Sequence, residues 1–194
     1  DASLFSINSA TGAVTLIGTP NFENKASYSF NVVATDVAGN STPQAVSLAV
    51  NNLDEVAPTI SSSASATAIN ENSGAGQVIY TATSTDSGDI ATGATSYALS
   101  GTDAGLFTIN STTGAVTLIA DPNFESKSSY SFNVVATDAA SNSTTPKAVS
   151  LAINNRDEVA PTITSGATAT AVNENIAAGR LVYTATATDT ADIS

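Results

Sequence analysis

The sequence predicts an all-β protein built from tandem β-sandwiches joined end to end. Three observations carry that expectation: a long internal repeat, hydrophobic residues that recur with a period of two, and turn residues every 8 to 12 positions. DASLFSINSATGAVTLI from Asp1 returns as DAGLFTINSTTGAVTLI from Asp103, and SYSFNVVATD from Ser27 returns from Ser129, both at an offset of 102. NNLDEVAPTI from Asn51 returns as NNRDEVAPTI from Asn154, one residue further on because NSTTPKAV carries one more Thr than NSTPQAV. The repeating unit is therefore about a hundred residues long.

Residues 57–159 present one full unit, preceded by the back part of a unit in 1–56 and followed by the front part of another in 160–194. Within the full unit, the AINEN segment (Ala68–Asn72) opens the strand set. QVIYTATSTD follows, and alternation places Val78, Tyr80 and Ala82 on one face. TSYALS adds a further strand. Asp103 before AGLF reads as the cap of a short helical turn. Phe107 with Ile109 and Val116 with Leu118 form two runs separated by Thr113-Gly114, a hairpin turn. In SYSFNVVAT the inward set is Tyr130, Phe132, Val134 and Ala136, and in the last strand it is Val149, Leu151 and Ile153. About seven short strands of this kind describe a Greek-key β-sandwich of the immunoglobulin-like type.

The aromatic residues Phe5, Phe22, Tyr28, Phe30, Phe107, Phe124, Tyr130 and Phe132 fall mainly on inward positions and are expected in the cores. Pro58 and Pro161 force extended backbone before them and cannot donate to a ladder, so each marks the passage from one sandwich to the next.

Composition excludes several functions. Asp and Glu number 17 against 5 Lys and Arg, giving a net charge of −12, the opposite of a nucleic-acid-binding surface. Cys, His, Met and Trp are absent, which removes disulfides, soft metal ligands and the Ser-His and Cys-His pairs of covalent catalysis. No run is long and apolar enough for a membrane span, so no membrane insertion is expected. An acidic, cysteine-free, Thr/Ser/Ala-rich chain matches exported bacterial proteins and points to an extracellular or cell-surface location.

The acids gather at strand ends and in the linkers, which in a sandwich lie at its poles. Glu71 stands in NEN, Glu125 in PNFE, Asp138 in VVATD, and Asp86 and Asp189 end the second strand of their units. Carboxylates crowded at one pole repel, and a cation must offset them. Hard oxygen ligands from Asp, Glu and Asn, without His or Cys, select calcium.

With these motifs in that order, the chain resembles tandem cadherin repeats in the divergent form found in very large bacterial surface adhesins, of the RTX and biofilm-adhesin type. AINEN and AVNEN resemble the family's Glu motif at Glu71 and Glu174, PNFE its D-R/Y-E motif at Glu23 and Glu125, and ATD its A-x-D strand end at Asp36 and Asp138. STDSGD and ATDTAD stand for its D-x-D, with wider spacing, and NNLDEVAP and NNRDEVAP for its D-x-N-D-N-A-P linker. The resemblance implies a first calcium junction drawn from Asn21, Glu23, Asn52, Asp54 and Glu55 with Asp86, Asp89 and Asp138. It implies a second drawn from Glu71, Asn123, Glu125, Asn155, Asp157 and Glu158 with Asp189 and Asp192. Asn at 21, 52, 123 and 155 and Val at 56 and 159 depart from the family pattern, which implies one or two ions per junction rather than three.

The function so implied is mechanical: calcium-rigidified extender repeats of a secreted or cell-surface adhesin in cell adhesion or biofilm formation, contacting neighbouring repeats of the same chain. The alternative is a calcium-dependent module that recognises a partner cadherin-like domain or polysaccharide. An enzyme is not expected. The part-repeats at the two ends are complementary, which raises the expectation of head-to-tail self-association between chains.

Overall fold

The computed structural model describes residues 1–86, 90 and 93–190. Asp89 and Asp192, both expected as ligands, lie outside the described residues. Strands β1 (Phe5–Ile7), β2 (Val14–Leu16), β3 (Ser27–Thr35) and β4 (Ser41–Ala49) precede the first linker. Then come β5 (Thr59–Ile60), β6 (Ile69–Asn70), β7 (Val78–Thr81), β8 (Ser84–Thr85), β9 (Ser96–Ser100), β10 (Phe107–Ile109), β11 (Ala115–Leu118), β12 (Ser129–Thr137) and β13 (Lys147–Asn154). Past the second linker lie β14 (Thr162–Ile163) and β15 (Ala187–Thr188). β5 and β14 begin directly after Pro58 and Pro161.

Two compact units are present: one made of Asp1–Thr59, Ser84–Ser96 and Ala136–Thr144, the other of Ile60–Thr83, Tyr97–Val135 and Thr145–Ser194. In the second unit a three-stranded sheet, β10-β11-β7, faces a four-stranded sheet, β6-β13-β12-β9. All the pairings given are antiparallel except β13 with β6, which runs parallel and sets Ile153 opposite Ile69. Side chains of both sheets meet between them. Phe132, Val134, Val116 and Leu151 are completely buried, with Ile79, Tyr80, Phe107, Leu118, Val149 and Ile153 around them. Phe132 takes Phe107 at 4.7 Å and Tyr80 at 6.0 Å, measured between ring centroids. Truncating such a ring to Ala costs about 3–5 kcal/mol.

The alternation expected for β12 and β13 is present, with Phe132, Val134, Ala136, Val149, Leu151 and Ile153 buried and Tyr130 half-buried. In β7 it is broken. Val78 is 61% exposed, while the adjacent Ile79 and Tyr80 are both buried. The ladder explains this: Thr117 pairs with Val78 but Val116 pairs with Tyr80, so Ile79 is an extra residue in a bulge that turns two neighbours to the same side. Among the described residues the full repeat accordingly shows nine strand segments, since its first and second strands are each interrupted.

The hairpin at Thr113-Gly114 forms as expected. Asn110 Oδ1 accepts the Thr112 and Thr113 N–H groups, and Gly114 has φ +72°. A Cβ there would stand 2.3 Å from the Ala82 carbonyl oxygen, so only glycine fits. The short helical turn after Asp103 is a 3₁₀ turn, Ala104–Leu106, but the Asp103 side chain does not cap it. Its carboxylate instead accepts the Ser131 N–H at 2.8 Å and pairs with Lys127 at 3.1 Å, the Lys127 ammonium lying over the Tyr130 ring. The backbone bond to Ser131 holds Asp103 below the usual carboxylate range against its burial, helped by Lys127. Asp1, Lys25, Ser29 and Tyr28 repeat the arrangement in the other unit.

That unit contains the antiparallel pairs β1–β2 and β3–β4. Phe5 stacks on Phe30 and meets Tyr28 edge-on. Only Tyr28 among its aromatic residues is buried, and Phe5, Val14, Phe30 and Val32 line an open apolar depression. These residues correspond by repeat to Phe107, Val116, Phe132 and Val134, which are buried.

Candidate metal centres

Among the described residues two clusters of carboxylates form, each inside one compact unit. In the first, Asp54, Asp86 and Asp138 bring one oxygen each to within 4.8 Å of one another. Asp54 comes from the linker, Asp86 from the end of β8 and Asp138 from the end of β12. The chain holds them by local turns. The Asp138 carboxylate accepts the backbone N–H of Asn142 at 2.8 Å and its Nδ2 at 3.0 Å. The same Nδ2 donates to the Asp54 backbone carbonyl at 2.9 Å, tying the linker to the β12 turn. Asp54 Oδ1 accepts the Val56 N–H. Asp54 and Asp138 are buried. Burial, and then the charges of Asp54 and Asp138, push the Asp86 carboxyl above its ordinary value.

In the second cluster, Glu71, Glu125 and Glu158 converge with the same 4.8 Å limit. Glu71 follows β6 and is wholly buried. Its two oxygens accept the Phe124 and Arg156 N–H groups, both at 2.7 Å. The bond from Phe124 lowers its carboxyl below the usual range against the cost of burial, with further help from the Arg156 N–H, Glu125 and the Arg156 charge. Asn72, in left-handed backbone at φ 52°, donates its Nδ2 to Glu158. A fully buried carboxylate clamped in its ionised form, beside two further carboxylates and no sulfur or imidazole, is a hard-oxygen donor set that fits calcium.

The remaining expected ligands are placed as follows. Asn21 and Asn123 use their Oδ1 atoms on the N–H groups of Asn24 and Ser126, closing the turn that carries Glu23 and Glu125. Glu23 is exposed and belongs to neither cluster, although its repeat partner Glu125 does. Asn52 and Asn155 each bury a side-chain oxygen at the start of a linker. Glu55 is exposed. Asp157 is exposed, and its Oδ1 accepts the Val159 N–H as Asp54 does that of Val56. Asp189 is exposed, and among the described residues neither it nor Asp157 belongs to a carboxylate cluster.

Sequence reasoning did not assign Asn142, Asn72 and Arg156 to these clusters. The signal for Asn142 was present: Asp36-x-x-x-Asn40 repeats Asp138-x-x-x-Asn142, and Asn40 clamps Asp36 through its side chain and backbone. That side-chain bond leads the causes that hold the Asp36 carboxyl below its usual value.

Comparison with known proteins agrees with the fold. Residues 65–154 match the family model described as Cadherin domain, and residues 3–51 match the Ig-domain model He_PIG. Protocadherin Fat 4 of Homo sapiens is 32% identical over 192 residues, covering 95% of this chain and 4% of that protein. Protein dachsous of Drosophila melanogaster is 28% identical over 144 residues, covering 69% of the chain and 4% of its own length. The chain thus spans only a small fraction of these relatives. Among solved structures, three repeats of mouse protocadherin-24 align with a TM-score of 0.55 at 22% identity, covering 96% of this chain and 63% of that one. Repeats 22–24 of mouse cadherin-23 align at 0.52 and 23%, covering 96% and 61%. The fold is all-β and cadherin-like. Cadherin domains are extracellular adhesion modules and not enzymes. No helix among the described residues is long and apolar enough to cross a membrane.

Proposed function

We propose that these residues are calcium-stiffened extender repeats of a large secreted or cell-surface adhesin, of the kind that serves bacterial adhesion and biofilm formation. Residues 1–56 are the back part of one repeat, 57–159 a complete repeat and 160–194 the front part of a third. The observation that supports this most is Asp54, a linker residue, lying within 4.8 Å of Asp86 and Asp138, which end strands of the following repeat. Without an ion the three charges repel, while the Asn142 bridge to the Asp54 carbonyl helps to hold the linker there. A calcium ion reverses the sign of that interaction and fastens the linker to the repeat after it. Glu158, from the other linker, stands with Glu71 and Glu125 of the repeat before it and fastens in the opposite direction. A linker carrying both fastenings would transmit force instead of bending.

Extracellular modules bind calcium at about 0.1–1 mM. Millimolar calcium therefore raises the melting temperature by mass action, and it lengthens the maximum dimension seen by small-angle X-ray scattering relative to the protein in EDTA. Identical melting and scattering curves in the two conditions would refute the reading.

A further inference from the structure

The two linker decapeptides differ at one position, Leu53 in the first and Arg156 in the second. That position is part of the glutamate cluster. The Arg156 N–H donates to Glu71 Oε1 at 2.7 Å, and Glu158, two residues on, supplies the third carboxylate. Glu71 is wholly buried with both oxygens held by backbone N–H groups, so it cannot turn away from its neighbours. The guanidinium is charged at every accessible pH. The other cations are engaged elsewhere among the described residues: Lys25 and Lys127 pair with Asp1 and Asp103, Lys147 donates to the carbonyls of Ile60 and Ser62, and Arg180 lines a depression with Thr170, Val172 and Ile176.

Resting on the calcium reading above, we propose that Arg156 is a built-in counter-cation of the Glu71–Glu125–Glu158 site. It steadies the cluster when calcium is absent and raises the calcium concentration at which the site fills. An arriving divalent ion meets three negative charges and one positive charge, where leucine at this position leaves only the three. A single charge about one Debye length from a divalent ion changes its affinity by about two- to fivefold at physiological salt. Junctions with leucine and with arginine in the decapeptide thereby fill at different calcium concentrations, and the repeats stiffen in steps rather than together.

The test is calorimetric titration of the full 194-residue chain with calcium chloride, in a background carrying Asp86→Asn and Asp138→Asn so that the aspartate cluster is silent. Arg156→Leu, Arg156→Gln and Arg156→Lys are compared with that parent, alongside melting in EDTA. The expected result is a Kd about two- to fivefold lower for the Leu and Gln variants, a lower melting temperature for both in EDTA, and parental behaviour for the Lys variant. The gain in affinity should shrink at about 0.5 M salt. A parent that takes up calcium with the same Kd as the Leu and Gln variants overturns the role of Arg156 and leaves the calcium reading standing. So does a melting loss without any gain in affinity, which marks a purely structural residue. A parent that takes up no calcium at millimolar concentration overturns both. Leucine already occupies this position in the first linker, and the glutamine variant retains a polar stem of similar length.

Discussion

Replacing Asn142 with Ala tests the aspartate cluster through a residue that is not itself an acid. Its Nδ2 group makes two bonds at once, to Asp138 Oδ2 at 3.0 Å and to the Asp54 carbonyl at 2.9 Å. The substitution removes both, while the backbone N–H of residue 142 still reaches Asp138 Oδ1. The site is half-buried, and each bond contributes about 1 kcal/mol, so the loss in EDTA is about 2 kcal/mol. For a chain of this size that lowers the melting temperature by about 4–8 °C. Asn40→Ala is the internal comparison. It deletes the equivalent bond to Asp36 on an exposed turn with no linker attached, and costs about 0.5 kcal/mol or less. With millimolar calcium the ion takes over the connection between Asp54 and Asp138, and the deficit of Asn142→Ala narrows. Calorimetric melting of the three proteins in EDTA and in calcium measures all of this. A deficit as large in calcium as in EDTA, or an equal loss from Asn40→Ala, would show that Asn142 does not act by joining linker to strand end.

Three further substitutions read out charge and backbone geometry. The Asp86 carboxyl lies above its ordinary value of 3.8, first through burial and then through Asp54 and Asp138, so the folded chain binds this proton more tightly than the unfolded chain does. Its contribution to stability is thus complete at acid pH and declines as pH rises through the raised value. Asp86→Asn should melt higher than the parent in EDTA at neutral pH, with the gap closing as pH falls toward 3.8, and should respond less to calcium; a constant gap across the pH series argues against like-charge repulsion. Gly114→Ala meets both a φ of +72° and a carbonyl at 2.3 Å, and should cost about 2–4 kcal/mol. Gly12→Ala, at the same turn of the preceding repeat with φ +73° and open space, should cost about 1 kcal/mol. Equal melting losses for the two would contradict the close approach at Ala82.

Much of the fold was legible because the signals that specify it are local and repeated. SYSFNVVAT alternates as far as the adjacent Val134 and Val135, and in β12 the structure buries one alternate set. Thr113-Gly114 demanded a turn with positive φ, and the chain makes one. The second strand was misread at a definite point. In QVIYTATSTD the residues Val78, Ile79 and Tyr80 are all apolar, so both phases of the alternation are hydrophobic and the pattern cannot show which is inward. The choice is made by pairing to Val116 and Thr117, more than thirty positions away, where the ladder skips Ile79. Asp103 was misread for a related reason. A carboxylate before a helical turn is a common cap, but the Ser131 N–H and the Lys127 ammonium are brought to it by tertiary structure and compete successfully for its oxygens.

The candidate site divides along the same line. That acids collect at the linkers is visible in the motifs, yet their sorting into an aspartate cluster and a glutamate cluster follows from the path of the backbone. Asp54 and Glu55 are adjacent, as are Asp157 and Glu158, and each pair precedes a Val-Ala-Pro that favours extended chain. In extended chain, neighbouring side chains point to opposite sides. The aspartate position of a linker can therefore join acids on one side while the glutamate position joins acids on the other, as Asp54 does with Asp86 and Asp138 and Glu158 with Glu71 and Glu125. Exchanging the two residues of a pair would leave composition and net charge untouched, yet set the longer side chain at the aspartate cluster and the shorter one on the side of Glu71. On the calcium reading proposed above, the Asp-Glu order serves both clusters, which accounts for one acidic decapeptide returning in the second repeat with only the residue before the pair changed.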